Sequence, residues 1–217
     1  MTVDERLNEY IHSLYPQNTE FLNELEKQAH KTYVPVIRKD VQNLLKLLLV
    51  QHRPEHILEV GTAIGFSAIL MAEYDPVRAT ITTIENYEKR IPIARENFEK
   101  SGFSDRIRLL EGDARDILPV LEGSYDFVFM DAAKGQYLSF LPHILRLLSP
   151  GGLLVSDNTL QDGNVSMSRY AIEHRDRTIH TRMRNYLFEL THNENLNTVV
   201  LPIGDGVTVS IKAYEKT

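Results

Sequence analysis

The chain has 217 residues, 42% hydrophobic and 25% charged, with 24 basic against 30 acidic side chains and a net charge of −6. This is the composition of an ordinary globular protein long enough for a sizeable core, and its negative balance argues against uniform coating of nucleic acid while leaving room for a local basic patch. The absence of cysteine excludes a disulfide framework, a thiolate metal site and a cysteine nucleophile, and fits a reducing cytoplasm.

Residues 1–9 are polar and acidic, unlike a signal peptide. The longest apolar run, 44–50, is broken by Lys46 and is far shorter than the roughly 20 residues of a membrane span. Leu7, Tyr10, Ile11 and Leu14 fall at i, i+3, i+4 and i+7 and predict an amphipathic helix that Pro16 ends. Leu22, Leu25 and Ala29 suggest a second helix. Pro35 suits the first turn of a third, which carries Val41, Leu44, Leu45 and Leu48 and stops before Pro54. Strands and helices then alternate. Strands are predicted at 56–60, 80–85, 106–110, 125–131 and 152–157, and helices at 65–74, 87–101, 114–121 and 136–148. A Pro150-Gly151-Gly152 turn precedes the fifth strand. That order predicts a parallel sheet with helices on both faces.

Residues 160–174 read as irregular, and 175–192 as a helix with Ile179, Met183, Leu187 and Leu190 on one face. Two β-rich runs, 196–203 and 207–213, flank Gly204-Asp205-Gly206, a hairpin signal, so the last two strands should pair antiparallel. The expected fold is a Rossmann-like, doubly wound α/β sheet of seven mostly parallel strands, with N-terminal helices and a C-terminal antiparallel hairpin. One domain is expected over 1–217, with a helical extension (1–53) ahead of the core (54–217).

Gly61 and Gly65 lie in a strand–loop–helix unit of the kind that holds nucleotide-like cofactors. The third glycine of a dinucleotide fingerprint is missing, and no phosphate-binding lysine accompanies the loop. Acids recur instead at strand ends: Glu59, Glu85, Asp113 and Asp131. Glu85, about 20 residues past the loop, is placed to bond both ribose hydroxyls. Asp113 could accept from an adenine amino group, and alone it reads equally as a helix N-cap. An adenosine cofactor without phosphates fits this set better than a dinucleotide. Asp131, Asp157 and Asn158 are oxygen donors at the ends of neighbouring strands, and such hard ligands suit Mg²⁺ or Mn²⁺. Asp157-Asn158 alone is also a common turn pair.

Glu59-Val60-Gly61-Thr62-Ala63-Ile64-Gly65-Phe66-Ser67, with Asp131-Ala132-Ala133-Lys134-Gly135-Gln136-Tyr137 and Asp157-Asn158, resembles the cation-dependent O-methyltransferases. These are class I S-adenosylmethionine enzymes that include catechol and caffeoyl-CoA O-methyltransferases. The resemblance spans essentially the whole chain. It is strongest toward bacterial members that methylate 5-hydroxyuridine in tRNA, through Val34-Pro35, the motifs above and the stretch from Pro202 to Gly206.

The resemblance implies S-adenosylmethionine held by Gly61, Ser67, Glu85, Asp113 and Ala114, with Glu59 and Asp131 completing the set. Ile37, on the third helix, would cover the cofactor or equally serve as a core residue. Asp131, Asp157 and Asn158 would hold Mg²⁺ or another divalent cation such as Mn²⁺. Lys134, with Asp131 the catalytic pair, would act as general base or as partner of the oxyanion. Tyr137 would line the pocket or simply pack. Arg169, Arg175, Arg177, Arg182 and Arg184 form a local basic run that suits an RNA backbone. It also suits a solvated helix face offset by Glu173, Asp176 and Glu189. The implied reaction is methylation of the 5-hydroxyl of 5-hydroxyuridine at the tRNA wobble position, giving 5-methoxyuridine. The alternative is a small catechol or hydroxycinnamoyl-CoA acceptor. The expected partners are a tRNA anticodon loop and a second copy in a homodimer, in the cytoplasm and without membrane contact.

Overall fold

The computed structural model describes residues 5–214. Helices α1 (Glu5–Leu14), α2 (Glu20–Lys31) and α3 (Lys39–His52) come first. The alternating part is β1 (His56–Val60), α4 (Phe66–Tyr74), β2 (Thr80–Glu85), α5 (Ile91–Ser101), β3 (Ile107–Glu111), α6 (Ala114–Val120), β4 (Tyr125–Met130), α7 (Tyr137–Leu147) and β5 (Leu148–Ser156). Helix α8 (Arg177–His192) and the strands β6 (Leu196–Leu201) and β7 (Val207–Lys212) close the chain. No helix among the described residues is long and apolar enough to cross a membrane.

The strands form one sheet in the order β3-β2-β1-β4-β5-β7-β6. The first five are mutually parallel, and β7 runs antiparallel to both β5 and β6. This is the Rossmann-like sheet with an antiparallel terminal hairpin that the alternation predicts. Side chains alternate across it. Phe127 and Phe129 of β4 join the layer of Leu22, Leu45, Ile69 and Phe98, contributed by α2 to α5. Val128 and Met130 join the opposite layer, with Tyr137, Ile144 and Met183 from α7 and α8. The chain leaves β1 toward β2 on one side and reaches β4 on the other, which opens a crevice at the carboxyl ends of β1 and β4.

Several predicted boundaries move, each for a local reason. The third helix begins at Lys39 and not at Pro35. Residues 34–38 carry no regular structure, because Pro35 forces the residue before it out of the helical region and the Gln42 amide holds the Ile37 carbonyl at 2.9 Å. Ile37 therefore sits on a strap ahead of α3, not on the helix. Helix α5 begins at Ile91 and not near 87, since the Glu85 carboxylate accepts from the N–H groups of Asn86 (3.0 Å) and Tyr87 (2.8 Å) and turns the chain there. The predicted turn at Pro150-Gly151-Gly152 lies inside β5, where the pairing with β4 shifts register. The predicted helix 136–148 is α7, which begins at Tyr137 behind a 3₁₀ turn, Lys134–Gln136. The stretch read as irregular, 160–174, contains the 3₁₀ turns Gln161–Ser166 and Arg169–Ala171, and a third, His174–Asp176, takes the start of the predicted helix 175–192, so that α8 begins at Arg177.

The crevice depends on one close approach. A Cβ on Gly61 (φ +107°) would lie 2.1 Å from the carbonyl oxygen of Asp131. Gly102, at the end of α5, also has positive φ (+75°) but nothing within 4 Å of its would-be Cβ. Gly102→Ala should lose only the left-handed backbone penalty of about 1–2 kcal/mol. Gly61→Ala should lose about 1–3 kcal/mol more, from forcing strand ends apart. Urea denaturation of the two variants checks this, and equal losses would contradict it.

Candidate active site

The crevice is a cavity of about 910 Å³, within the range of small-molecule sites. Residues 35–38 close one side. Of the predicted cofactor residues, Ile37, Gly61, Ser67, Glu85, Asp113, Ala114 and Asp131 all line it. So do Asp157 and Asn158, which puts the predicted cation donors in the same cavity. Lys134 lies outside the lining. Lining residues to which the sequence reading gave no site role include Arg38, Thr62, Ala63, Tyr87, Arg90 and Asp205.

Glu59 does not face the cavity but stands behind it, fully buried one residue before the end of β1. The Thr83 hydroxyl donates to its Oε2, Thr62 Oγ1 lies 2.5 Å from Thr83 Oγ1, and Oε1 makes no hydrogen bond within normal geometry to the described residues. Burial pushes the Glu59 carboxyl up to about 7, against the opposing pull of the Ser67 and Thr83 hydroxyls. Glu85 fastens the glycine loop: Oε2 accepts from Ala63 N at 2.7 Å, while Oε1 takes the two amides that end β2. A carboxylate has about four lone-pair sites, so one remains for a ligand. Asp113 is the N-cap of α6, accepting from Arg115 N at 2.8 Å, and the Arg115 guanidinium at 2.6 Å holds its carboxyl below the usual range. Asp113 is thus a helix N-cap that also borders the cavity. Helix α4 starts at Phe66 with no side-chain cap, so its first N–H groups stand open where Phe66 and Ser67 border the cavity.

The end of the cavity at β4 and β5 is acidic. Burial pushes Asp131 up to about 6, partly offset by the Lys134 ammonium. Burial and then the Asp131 charge push Asp157, which is 1% exposed, up to about 7. Asn158 donates its backbone N–H to Asp157 Oδ1 at 2.7 Å and holds a left-handed conformation (φ 56°). Lys134 Nζ bonds Asp205 Oδ2 at 3.0 Å, and Asp205 is itself buried. Among the described residues no group of three or more His, Cys, Asp or Glu side chains is arranged as a metal site. The Asp131–Asp157–Asn158 group offers two carboxylates and an amide. Its two carboxylates are drawn out of water beside one partly exposed ammonium, an under-compensated pair of hard oxygens that a divalent cation fits.

Tyr137 packs and does not line the cavity: its hydroxyl donates to Met130 O (3.2 Å) and Asp157 O (3.1 Å), tying the ends of β4 and β5. The arginine run is largely engaged within the chain. Arg177 donates to Ile172 O, Arg182 to Gly135 O and Arg184 to Val165 O. Arg175 pairs with Glu173 and Asp176, and Arg169 is exposed. None of the five lines the cavity. Arg182 comes nearest in connection, since Gly135 follows Lys134.

A sequence profile described as O-methyltransferase matches residues 11–213. The chain belongs to that O-methyltransferase family. A catechol O-methyltransferase of Niastella koreensis is 37% identical over 125 residues, covering 56% of this chain and 57% of the relative. Caffeoyl-CoA O-methyltransferase 1 of Eucalyptus globulus is 29% identical over 214 residues, covering 91% of this chain and 83% of the relative. The SAH-bound structure of the Podospora anserina methyltransferase PaMTH1 matches with a TM-score of 0.86 at 27% identity, covering 97% of this chain and 95% of that one.

Glu59, Asp131 and Asp157 each hold their proton more tightly in the folded chain than in the unfolded one. Their stabilising contribution is complete below the unfolded values near 4 and is lost as pH rises through about 6–7. With chelator present, this contribution should make the unfolding free energy fall between pH 4 and pH 8. Asp157→Asn should flatten that fall, with its gain over wild type appearing at pH 8 and not at pH 4. Parallel profiles in urea titrations would contradict the assignment.

Proposed function

We propose that the chain is an S-adenosylmethionine- and divalent-cation-dependent O-methyltransferase acting on the 5-hydroxyl of 5-hydroxyuridine at the tRNA wobble position. The observation that carries the reading is a single cavity joining an adenosine-type half, Gly61, Ser67, Glu85 and Asp113, to the acid pair Asp131 and Asp157. The open N–H groups of α4 and the Ser67 hydroxyl suit the amino-acid end of the donor. The last lone pair of Glu85 suits a ribose hydroxyl, and Asp113 with Ala114 suits the adenine. Asp131, Asp157 and Asn158 would hold the cation, which when bound makes a chelated hydroxyl acidic. Lys134 takes the acceptor proton or stabilises the oxyanion. S-adenosylmethionine, when bound, would supply the methyl group to the acceptor oxygen, its carbon–sulfur bond breaking to leave S-adenosylhomocysteine.

The tRNA acceptor is supported by chemistry. The 5-hydroxyl and O4 of 5-hydroxyuridine are vicinal oxygens that chelate as a catechol does, and an anticodon-loop base can be splayed into a pocket. Arg182 beside the Lys134 turn and exposed Arg169 suit nearby phosphates. The second reading, a small catechol or hydroxycinnamoyl-CoA acceptor, is favoured by the two named relatives and by the intrachain bonds of most of the arginines. The apolar side chains that α1 leaves exposed, Leu7, Tyr10 and Leu14, suit a homodimer contact, and a cytoplasmic setting goes with a tRNA substrate.

With labelled S-adenosylmethionine and Mg²⁺, tRNA lacking the final methyl should accept label, and chelator should abolish this. Faster turnover of free catechols than of tRNA would establish the second reading instead. Lys134→Met should lower kcat by about 10²–10⁴ with S-adenosylmethionine affinity unchanged, and an unchanged kcat would remove Lys134 from the chemistry.

A further inference from the structure

The last residue of the strap reaches from one rim of the cavity to another. Arg38 lines the cavity with Pro35, Val36 and Ile37, but its guanidinium meets a residue outside that lining: Nη2 donates to Asp162 Oδ1 at 3.1 Å. Asp162 belongs to the 3₁₀ turn that follows Asn158. The stem between the two rims has a seat. A Cβ on Gly204 (φ +55°) would lie 3.6 Å from Arg38 Cδ and 3.8 Å from Arg38 Cβ, so the aliphatic part of Arg38 runs over the bare glycine of the β6–β7 turn.

Each rim is otherwise tied to its own side. The strap bonds to the N-terminal helices: Val34 N donates to Ala29 O at 2.9 Å, and Ile37 O accepts from the Gln42 amide at 2.9 Å. The loop bonds to the hairpin turn: Leu160 N donates to Asp205 O at 2.9 Å, and Asp162 N donates to Asp205 Oδ1. Among the described residues, Arg38–Asp162 is the one hydrogen bond from residues 34–38 to that loop and turn. Both partners are exposed, 54% and 72%, so the pair is weak and screened by salt. The strap it fastens has no regular structure, and a segment of that kind opens at small cost. A single weak contact across a mouth does little for the fold but can decide how long the mouth stays shut. We propose that Arg38 and Asp162 are positioning residues that form a clasp, holding the strap against the β5 side of the cavity and setting how fast a bound donor or its product leaves. The inference rests on the reading of the cavity as the S-adenosylmethionine site. It gives the N-terminal extension a part in turnover, through the residue that joins it to the far rim.

The test is a charge swap read by the dissociation rate of S-adenosylhomocysteine, followed by surface plasmon resonance on the immobilised full-length chain. The proteins are wild type, Arg38→Glu, Asp162→Arg and the double variant, with thermal melting as the check on folding. Each single variant sets like charges face to face and should speed release by about fivefold. The double variant restores an opposite pair and should return to within about twofold of wild type. Asp162 holds a left-handed conformation (φ 51°), and Asp162→Arg and the double variant share whatever that change costs, so the rescue reads charge alone. Raising salt from about 0.1 M to about 1 M should speed release from wild type and slow it from the two single variants, since screening weakens attraction and repulsion alike. Single variants that release at the wild-type rate, a double variant no slower than Asp162→Arg, or a wild-type rate indifferent to salt would overturn the clasp and leave the cofactor site standing. A wild type that binds no S-adenosylhomocysteine would remove the cofactor reading, and the clasp with it.

Discussion

The site depends on how closely the ends of β1 and β4 approach. Asp131 N donates to Val60 O at 3.0 Å, and the Asp131 carbonyl occupies the space a side chain at position 61 would need. Glycine at 61 is therefore a condition for bringing Asp131 against the loop. That contact places the glycine-loop half and the acidic half on one wall. It also makes Asp131 part of both, bordering the Gly61 loop while standing beside Asp157. A sheet with larger residues at this point would separate the two halves by the width of a side chain, more than an in-line transfer tolerates.

The same arrangement has a cost in stability. Glu59, Asp131 and Asp157 are carboxylates held out of water, each with its proton bound more tightly than in the unfolded chain. The fold offsets this elsewhere. Two large apolar layers cover the sheet, and the Tyr137 hydroxyl stitches the ends of β4 and β5 below the acids. Near the opposite edge, the buried pair of Arg106 and Asp75, 2.9 Å apart, fixes the chain between α4 and β2.

Much of this was legible in the sequence because the signals were local. Strand β1 shows as an apolar run, the hairpin by Gly204-Asp205-Gly206, and the strand-end acids by their position after such runs. The strap at residues 34–38 was misread because Pro35 is compatible with a helix start, while the bond that keeps the segment extended comes from Gln42, a side chain of the next helix. The start of α5 was misplaced because Glu85 spends part of its carboxylate on the backbone beyond it. The Lys134–Asp205 pair joins residues 71 apart, and nothing along the chain announces it. For the arginine run, composition showed a basic concentration but not that most of its members bond within their own loop and helix.

The central claim is that one cavity holds donor and cation on either side of the Gly61–Asp131 contact. The most direct measurement is a crystal structure of the chain grown with S-adenosylhomocysteine and Mn²⁺, using the anomalous signal of manganese. The account predicts the adenosine between the Gly61 loop and Glu85, with one manganese peak coordinated by Asp131, Asp157 and Asn158 on the sulfur side of the ligand. S-adenosylhomocysteine bound outside the cavity, or a manganese peak away from those three residues, would contradict it.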